Sequence, residues 1–338
     1  MKLKINNSDF LYFNDITLSL TLDAVASGFS FSADFNPDNL DHKELFRPLA
    51  FNVVQLYNDD DELLLTGPIV NHSHKSTAEP NLVTLSGYSR GGVLQDVNIP
   101  VSAYPLESIN RSFKDIATRL LGLFELELII DPSVVDDANA IYKKSMAEPG
   151  DDIAGYLSKL ASQRNMVLGH DPEGNIVVFR PDFNAPPKMK ITPENNIEMG
   201  WSVNGQAMFS DISVIRQPTK DNPNSTLVDT VKNPLVKSFR PKTSVLTSGT
   251  TTDTSKAANN KLAAQLDSLK LALTFESKLD LAPGEIIEVE NPEMFLYNPT
   301  KFVASTVTFK ETEDGDTTAI SLVLPEAYTG GTPKDIFA

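Results

Sequence analysis

The 338-residue chain contains no cysteine, so disulfide bridges, thiolate metal sites and cysteine nucleophiles are excluded. It has one tryptophan, and no apolar run approaches the roughly 20 residues that cross a bilayer. The N-terminal segment MKLKINNSDF lacks the apolar core of a secretory signal. Positive charge is scarce, because 29 lysines and arginines stand against 45 acidic residues. We therefore expect no membrane insertion by this chain and no sequence-independent nucleic-acid binding.

The net charge of −16 leaves two interpretations open. The plainer one is solubility. The other is a surface past which a polyanion moves without sticking. The length exceeds that at which a single hydrophobic core stops growing, so two or three domains are expected.

Residues 1–98 show the period-two alternation of strands. Ile16, Leu18 and Leu20 alternate with polar residues, and Phe29, Phe31 and Ala33 do so after a break at Gly28. Further strand patterns follow at 50–59, 62–75 and 82–90. Five or six such strands favour a barrel or a sandwich.

Residues 99–182 change character and predict a small α+β unit. Ser112 is a candidate N-cap for a helix with one apolar face, and Asp151 or Asp152 caps a second helix after Pro149-Gly150. A hairpin turning at 172–175 follows.

Residues 183–338 return to β, with a helix predicted at 255–270. The stretch from about 218 to 254 is rich in Thr, Ser, Asn and Pro and indicates a long irregular excursion. The last strands alternate clearly, and Pro283-Gly284 and Asp314-Gly315 are placed where hairpins reverse, so Gly284 is expected to need a positive φ. The predicted fold class is mainly β with an α+β insert: two β-barrel domains, 1–98 and 183–338, and a small α+β domain at 99–182.

Several groups could carry chemistry, and each has a plainer interpretation. His72 and His74 share one strand face, but no third ligand is implied and Glu79 follows a predicted turn. Residues 59–62 are acidic but lack the alternation and glycine of a calcium loop, so a hairpin tip is favoured. His42 and His170 are isolated beside turns.

The segment Gly87–Gly92 matches neither phosphate-binding fingerprint, and no helix is predicted directly after it, so Arg90 is expected to fix an interface or a loop. Paired carboxylates for glycoside cleavage carry no signal, because 45 acidic residues always supply some pair. Trp201 lies in an alternating strand and is expected to anchor the core. We therefore predict no catalytic residue, no cofactor, no metal site and no enzymatic activity.

Four stretches together carry a family resemblance. They are the strands and turn at 65–100, the helix and strand at 112–131, the helix and hairpin at 148–181, and the series from KLAAQLDSLKLALTF to SLVLPEAY at 261–328. In pattern and order they resemble the baseplate hub proteins of contractile phage tails, the Mu-like tail proteins related to the late control D family. A similar tube architecture occurs in the N-terminal part of type VI secretion spike proteins. The chain departs from that pattern in lacking a strongly basic segment and in its Thr/Ser-rich stretch.

The resemblance implies a virion structural protein. In such hubs two similar barrels per subunit make a ring of six from a homotrimer, which joins a hexameric tail tube to a trimeric central spike. It implies other baseplate proteins as partners and a location in the tail baseplate after synthesis in the host cytoplasm. DNA ejection would then take place through a channel that does not bind DNA specifically, since carboxylates near the wall repel phosphates.

Two alternatives remain. One is the hub of a tail-derived injection or secretion particle. The other, of a different class, is a cell-wall hydrolase or carbohydrate-binding tail component, although we expect no room for an appended hydrolase because PEAY ends ten residues before the last.

Overall fold

A computed structural model describes residues 1–76, 81–195, 198–216, 228–246 and 254–338. These residues are mainly β, as the sequence predicts. In the same ranges, no helix combines the length and the apolar character needed to cross a membrane.

The N-terminal region consists of strands whose alternating residues are buried. In the fourth strand Phe29, Phe31 and Ala33 are buried while their neighbours are partly exposed, which confirms the predicted alternation. The elements are β1 Lys2–Ile5, β2 Ser8–Phe10, β3 Phe13–Thr21, β4 Gly28–Asp34, α1 Leu40–Leu45, β5 Val53–Tyr57, β6 Leu63–Lys75 and β7 Leu82–Tyr88.

The following region is the predicted mixture of helices and short strands. Ser112 and Asp115 form a reciprocal capping box at the start of its longer early helix, and Asp152 rather than Asp151 caps the later one. Its buried side chains form a core of their own, to which Val25 contributes from outside. The elements are α2 Val93–Asp96, β8 Glu107–Ser112, α3 Phe113–Leu121, β9 Leu128–Ile130, α4 Val135–Asn139, β10 Ile141–Met146, α5 Ile153–Ser162, β11 Val167–His170 and β12 Ile176–Phe179.

The described residues of the C-terminal region add nine strands and two α-helices. Trp201 packs edge-on against Phe302 and Phe337, so it anchors the core as expected. The elements are β13 Met189–Ile191, β14 Glu198–Ser202, β15 Asp211–Arg216, β16 Val228–Lys232, β17 Pro241–Leu246, α6 Thr254–Leu266, β18 Lys270–Phe275, β19 Ile286–Asn291, β20 Leu296–Thr312, β21 Gly315–Val323 and α7 Glu326–Thr329.

The prediction of an irregular excursion from 218 to 254 is wrong in its central part. Two strands, β16 and β17, lie within it and flank β15 in a separate three-stranded sheet. Sequence periodicity misses them because both are largely exposed and polar, with little apolar alternation to detect. Residues 218–227 and 247–253 of the predicted excursion lie outside the described residues. The helix predicted at 255–270 ends earlier, at Leu266.

One large sheet joins the two ends of the chain. Its strand order is β14-β18-β21-β20-β3-β4-β7-β6-β5-β1-β2, and β19 and β13 lie off this path. Two strands pair with the same edge of the long strand β20. Its first half pairs with β19 and its second half, Thr306–Glu311, pairs with β3. A large hydrophobic core, with buried residues from Leu3 to Leu324, lies against these strands, and Val303 and Val323 belong to a separate small cluster.

The sequence predicts two separate barrels, whereas the described pairings form an open path that ends at β14 and β2. The reason is the pairing of β3 with β20, which continues the N-terminal strands directly into the C-terminal ones. Hydrogen bonds between described strands therefore do not close a barrel.

A charged cluster also connects the N-terminal strands to the C-terminal ones. The ammonium of Lys278 lies 2.8 Å from a carboxylate oxygen of Asp59, in the β5–β6 turn, and 2.5 Å from one of Glu311 on β20. Partial burial disfavours the charge of Lys278, but the two carboxylates outweigh it and raise its pKa. The hydrogen bond from Lys278 in turn lowers the pKa of Asp59.

The turn at Pro283-Gly284 is present, but it does not close a hairpin. Gly284 has a φ of +94° and its amide donates to the carbonyl of Ala304 at 2.8 Å. The strands on either side, β18 and β19, pair with other strands and not with each other. The turn at Asp314-Gly315 does close a hairpin, between β20 and β21.

We predict that Gly284→Val destabilises the fold by about 1–3 kcal/mol, because a β-branched residue is strained at positive φ. The added Cβ would also lie 3.2 Å from a methyl group of Leu22. The measurement is urea unfolding followed by circular dichroism.

The matched control is Gly200→Val, since Gly200 lies on an edge strand with no atom near its missing Cβ. Equal stability of the two variants would contradict the strained turn.

Candidate interaction surfaces

The two histidines of β6 show stacking and no metal geometry. The rings of His72 and His74 are parallel with centroids 6.5 Å apart, and His74 meets Phe35 edge-on. Burial, and secondarily His74, lowers the pKa of His72. Glu79 lies outside the described residues. In the described part of the chain, no group of three or more histidines and carboxylates is placed to hold a metal ion.

The acidic run at 59–62 forms the tip of the β5–β6 hairpin. Its carboxylates bind different partners: Asp59 contacts Lys278, while Asp61 contacts Lys2 at 2.6 Å. They do not converge on one centre, so the hairpin-tip interpretation is confirmed. His42 is also structural, because its ring nitrogen accepts a hydrogen bond from the Asn36 amide.

The Gly87–Gly92 segment connects the large sheet to the α+β region. The expectation that no helix follows is wrong, because a single 3-10 turn at Arg90–Gly92 leads directly into the four-residue helix α2. The backbone approaches its neighbours closely here: a Cβ on Gly91 would lie 2.1 Å from the carbonyl oxygen of Val25. The Arg90 guanidinium donates to the Glu125 carbonyl at 2.9 Å, in agreement with a role in fixing a loop.

A polar network completes this connection. The Nδ1 of His170 lies 2.8 Å from the carbonyl oxygen of Asp171, and its Nε2 lies 2.7 Å from the Ser27 hydroxyl. Nδ1 donates to that carbonyl, and in the neutral form of the ring Nε2 accepts the serine proton. The backbone amide of Ser27 donates to the Ser89 hydroxyl, and the backbone amide of Ser89 donates to the Ser27 carbonyl. Burial lowers the pKa of His170, although the Asp171 carbonyl opposes this.

This connection predicts a pH effect on stability. Because the pKa of His170 is lowered in the folded state, the unfolded chain binds a proton more readily below about pH 6.5. The stability that His170 confers is present above that pH and is lost as the pH falls through the folded pKa. In His170→Gln, we expect a smaller drop in unfolding free energy between pH 7.5 and pH 5.5.

A pH slope in His170→Gln equal to that of the wild type would refute the neutral ring.

Two exposed segments display large apolar side chains on strained backbone. In the loop before β5, Leu49 and Phe51 have φ values of 63° and 53°, and they are 76% and 53% exposed. The left-handed conformation costs such residues about 1–2 kcal/mol each. The side chain of Asn52 holds the loop by donating to the carbonyls of Glu44 and Leu45. The sequence analysis misses this surface, because Phe51 falls within the strand pattern predicted at 50–59, whereas the strand begins only at Val53.

The second segment is the β19–β20 connection. Phe295 has a φ of 58° and is 61% exposed, and it forms an edge-to-face pair with Tyr297, which is 51% exposed. Backbone strain of this kind persists where the surrounding structure enforces it, and it often marks functional surfaces. The two segments are therefore the candidate contact surfaces of this chain.

Comparison with known proteins shows similarity at the level of structure. No family model matches the chain and no curated protein matches it in sequence. The 43 kDa tail protein of prophage MuSo2 from Shewanella oneidensis superposes with a TM-score of 0.79 at 17% identity, over 97% of this chain and 99% of that one. A tail protein from Neisseria meningitidis gives 0.78 at 20% identity, over 99% and 98%.

A third similar structure is a component of the type VI secretion system of Escherichia coli. It has a TM-score of 0.56 at 12% identity, covers 99% of this chain and 80% of that one, and is itself described as similar to two tail proteins of bacteriophage T4. At these identities the likeness shows a shared fold. The chain thus has the fold of these phage tail proteins.

Proposed function

We propose that the chain is the structural baseplate hub of a contractile tail, without a catalytic site of its own. One observation carries this proposal: the fold matches two phage tail proteins over nearly the whole length of both chains. The match leaves little of either chain outside the shared fold. The proposed location is the tail baseplate of the virion.

In the proposed assembly three copies form a ring around a channel. Each copy supplies two sheet modules, from residues 1–98 and 183–338, and residues 99–182 lie at the periphery. The open path of the large sheet and the large core shared by both ends of the chain support a rigid, wall-like subunit. A ring closes only if one surface of each copy binds a different surface of the next. The chain offers two unlike exposed apolar segments, around Leu49 and around Phe295, that suit such a contact.

The proposed partners are a hexameric tube protein on one side and a trimeric spike on the other. The acidic excess is consistent with a channel that lets DNA pass, since like charges near the wall prevent binding. A hub of a tail-derived injection or secretion particle is the second candidate, and the similarity to the Escherichia coli type VI component favours it.

Mass photometry tests the assembly. We expect particles of three 37.0 kDa chains, or a monomer that becomes a trimer when spike protein is added. A monomer under both conditions would contradict the hub. Hydrolysis of peptidoglycan by the purified chain would favour the rival hydrolase class.

We further predict that Leu49→Asn weakens trimer formation while leaving the fold as stable as wild type or more so. Asparagine tolerates a positive φ better than leucine does, so the change relieves strain as it removes apolar surface. Sedimentation equilibrium measures association and thermal unfolding measures stability.

The control is Val101→Asn, an exposed apolar residue of the region proposed as peripheral, with 82% of its surface accessible. It should associate like wild type. If Leu49→Asn also associates like wild type, the loop before β5 is not a subunit contact.

A further inference from the structure

The two ends of the large sheet each carry an unpaired strand edge. Among the described strands, β2 pairs only with β1 at one end of the path, and β14 pairs only with β18 at the other. An unpaired edge is a template for contact with another chain. A stable contact between proteins also takes about twenty to thirty residues a side, more than the segments around Leu49 and Phe295 supply by themselves.

The β2 end of the sheet displays large apolar side chains. Leu11 and Tyr12 follow β2 directly and are 76% and 77% exposed. The strained loop before β5 lies near the opposite tip of the same strand, because the Asn6 side chain in the β1–β2 turn donates to the side-chain oxygen of Asn52 at 3.1 Å. The two exposed apolar segments of the N-terminal region therefore flank β2.

The β14 end of the sheet contains a surface cavity of about 250 Å³. Val203, which follows β14 directly and is 46% exposed, lines it. The apolar side chains of the lining include Val203, Leu235, Val236, Leu269 and Phe337. The segment around Phe295 lies beside this end, since the side-chain nitrogen of Asn291 is 3.6 Å from the sulfur of Met199 on β14. An apolar cavity and an exposed aromatic segment thus adjoin one strand end.

The β2 end is acidic. Asp9 is exposed, and its ion-pair partner among the described residues is Lys4, at 3.8 Å. Asp34, which is exposed beside the start of β3, accepts a hydrogen bond from the Asn14 side chain at 3.1 Å and has no cationic partner in the described part of the chain. Negative charge therefore accompanies the apolar side chains of this end.

The β14 end carries a cation without a counter-ion. Of the two cations that line the cavity, Lys237 forms an ion pair with Asp335. Arg240 is exposed and donates to the carbonyl of Met208 at 3.1 Å, but none of the described carboxylates lies within ion-pair distance of it. An apolar cavity with an arginine at its edge suits an acidic segment that also presents a large apolar side chain.

We propose that the β2 end of one copy of this chain docks against the β14 end of the next, with Tyr12 entering the cavity beside Val203. Asp9 and Asp34 would then face Arg240 across the contact. The proposal rests on the proposed function for the number of copies, while the pairing of the two ends is tested by itself. Because the two surfaces differ, the contact is of the head-to-tail kind that closes rings.

Site-specific cross-linking tests the pairing, since the chain lacks cysteine and each variant then carries one thiol. Leu11→Cys and Val203→Cys are mixed in equal amounts and treated with a short bismaleimide. We expect a covalent dimer of two 37.0 kDa chains in the mixture and none from either variant alone. The control mixture of Leu11→Cys with Val101→Cys, whose position is 82% exposed in the α+β region, should give no dimer.

The outcomes separate the pairing from the hub function. If the mixed dimer forms but the particle does not contain three copies, the pairing stands and the trimeric hub fails. A wild-type trimer without the mixed dimer keeps the hub and overturns the pairing. Cross-linking of either variant alone as efficiently as the mixture, or no mixed dimer up to about 1 mM protein, the range of weak contacts, would also overturn it.

Tyr12→Ser gives a second measurement. We expect this variant to weaken self-association about tenfold or more in sedimentation equilibrium, because buried tyrosines often dominate contact energies. Its thermal unfolding should match the wild type, since the side chain is exposed in the single chain. Val101→Ser is the matched control and should associate like wild type. Equal association of Tyr12→Ser and wild type would contradict the role of Tyr12 in the contact.

Discussion

The pairing of β3 with β20 is the contact on which the rest of this structure depends. It joins residues almost 300 positions apart, as the hydrogen bond between the Ser19 and Thr308 hydroxyls illustrates. Through this one edge, strands from both ends of the chain share a sheet and a hydrophobic core. The ion pairs of Lys278 lie beside it and link the same two parts. Partly exposed ion pairs contribute modestly, so the backbone pairing and apolar burial supply most of the stability.

The α+β region is attached to this sheet at a place where bulky side chains do not fit. Gly91 allows the backbone to approach Val25, and Val25 is buried in the core of the α+β region. The network of Ser27, Ser89 and His170 then satisfies the polar groups that the close approach buries. A connection that is both tightly packed and hydrogen-bonded holds its two parts in a fixed relation, which suits the proposed role as a subunit of a rigid wall.

Local patterns predicted the local structure well. The alternation in β4, the cap at Ser112 and the turn at Gly284 were all readable because each depends on residues a few positions apart. The register of β3 against β20 could not be predicted, since it depends on how the edges of two strands far apart in the sequence fit together. For the same reason the two predicted barrels are replaced by one open path. The polar edge strands β16 and β17 lacked the apolar signal that identifies strands. The contact surface around Phe295 could not be predicted, because its strained backbone leaves no pattern in the sequence.

The distance between β3 and β20 along the chain has a consequence for synthesis on the ribosome. At 5–20 residues per second, on the order of 15–60 seconds separate the emergence of the two strands. During that interval the edge of β3 that later meets β20 has no partner, and an unpaired strand edge invites pairing with other nascent chains. Correct folding of this chain therefore requires that the edge of β3 stay unpaired until the last strands emerge.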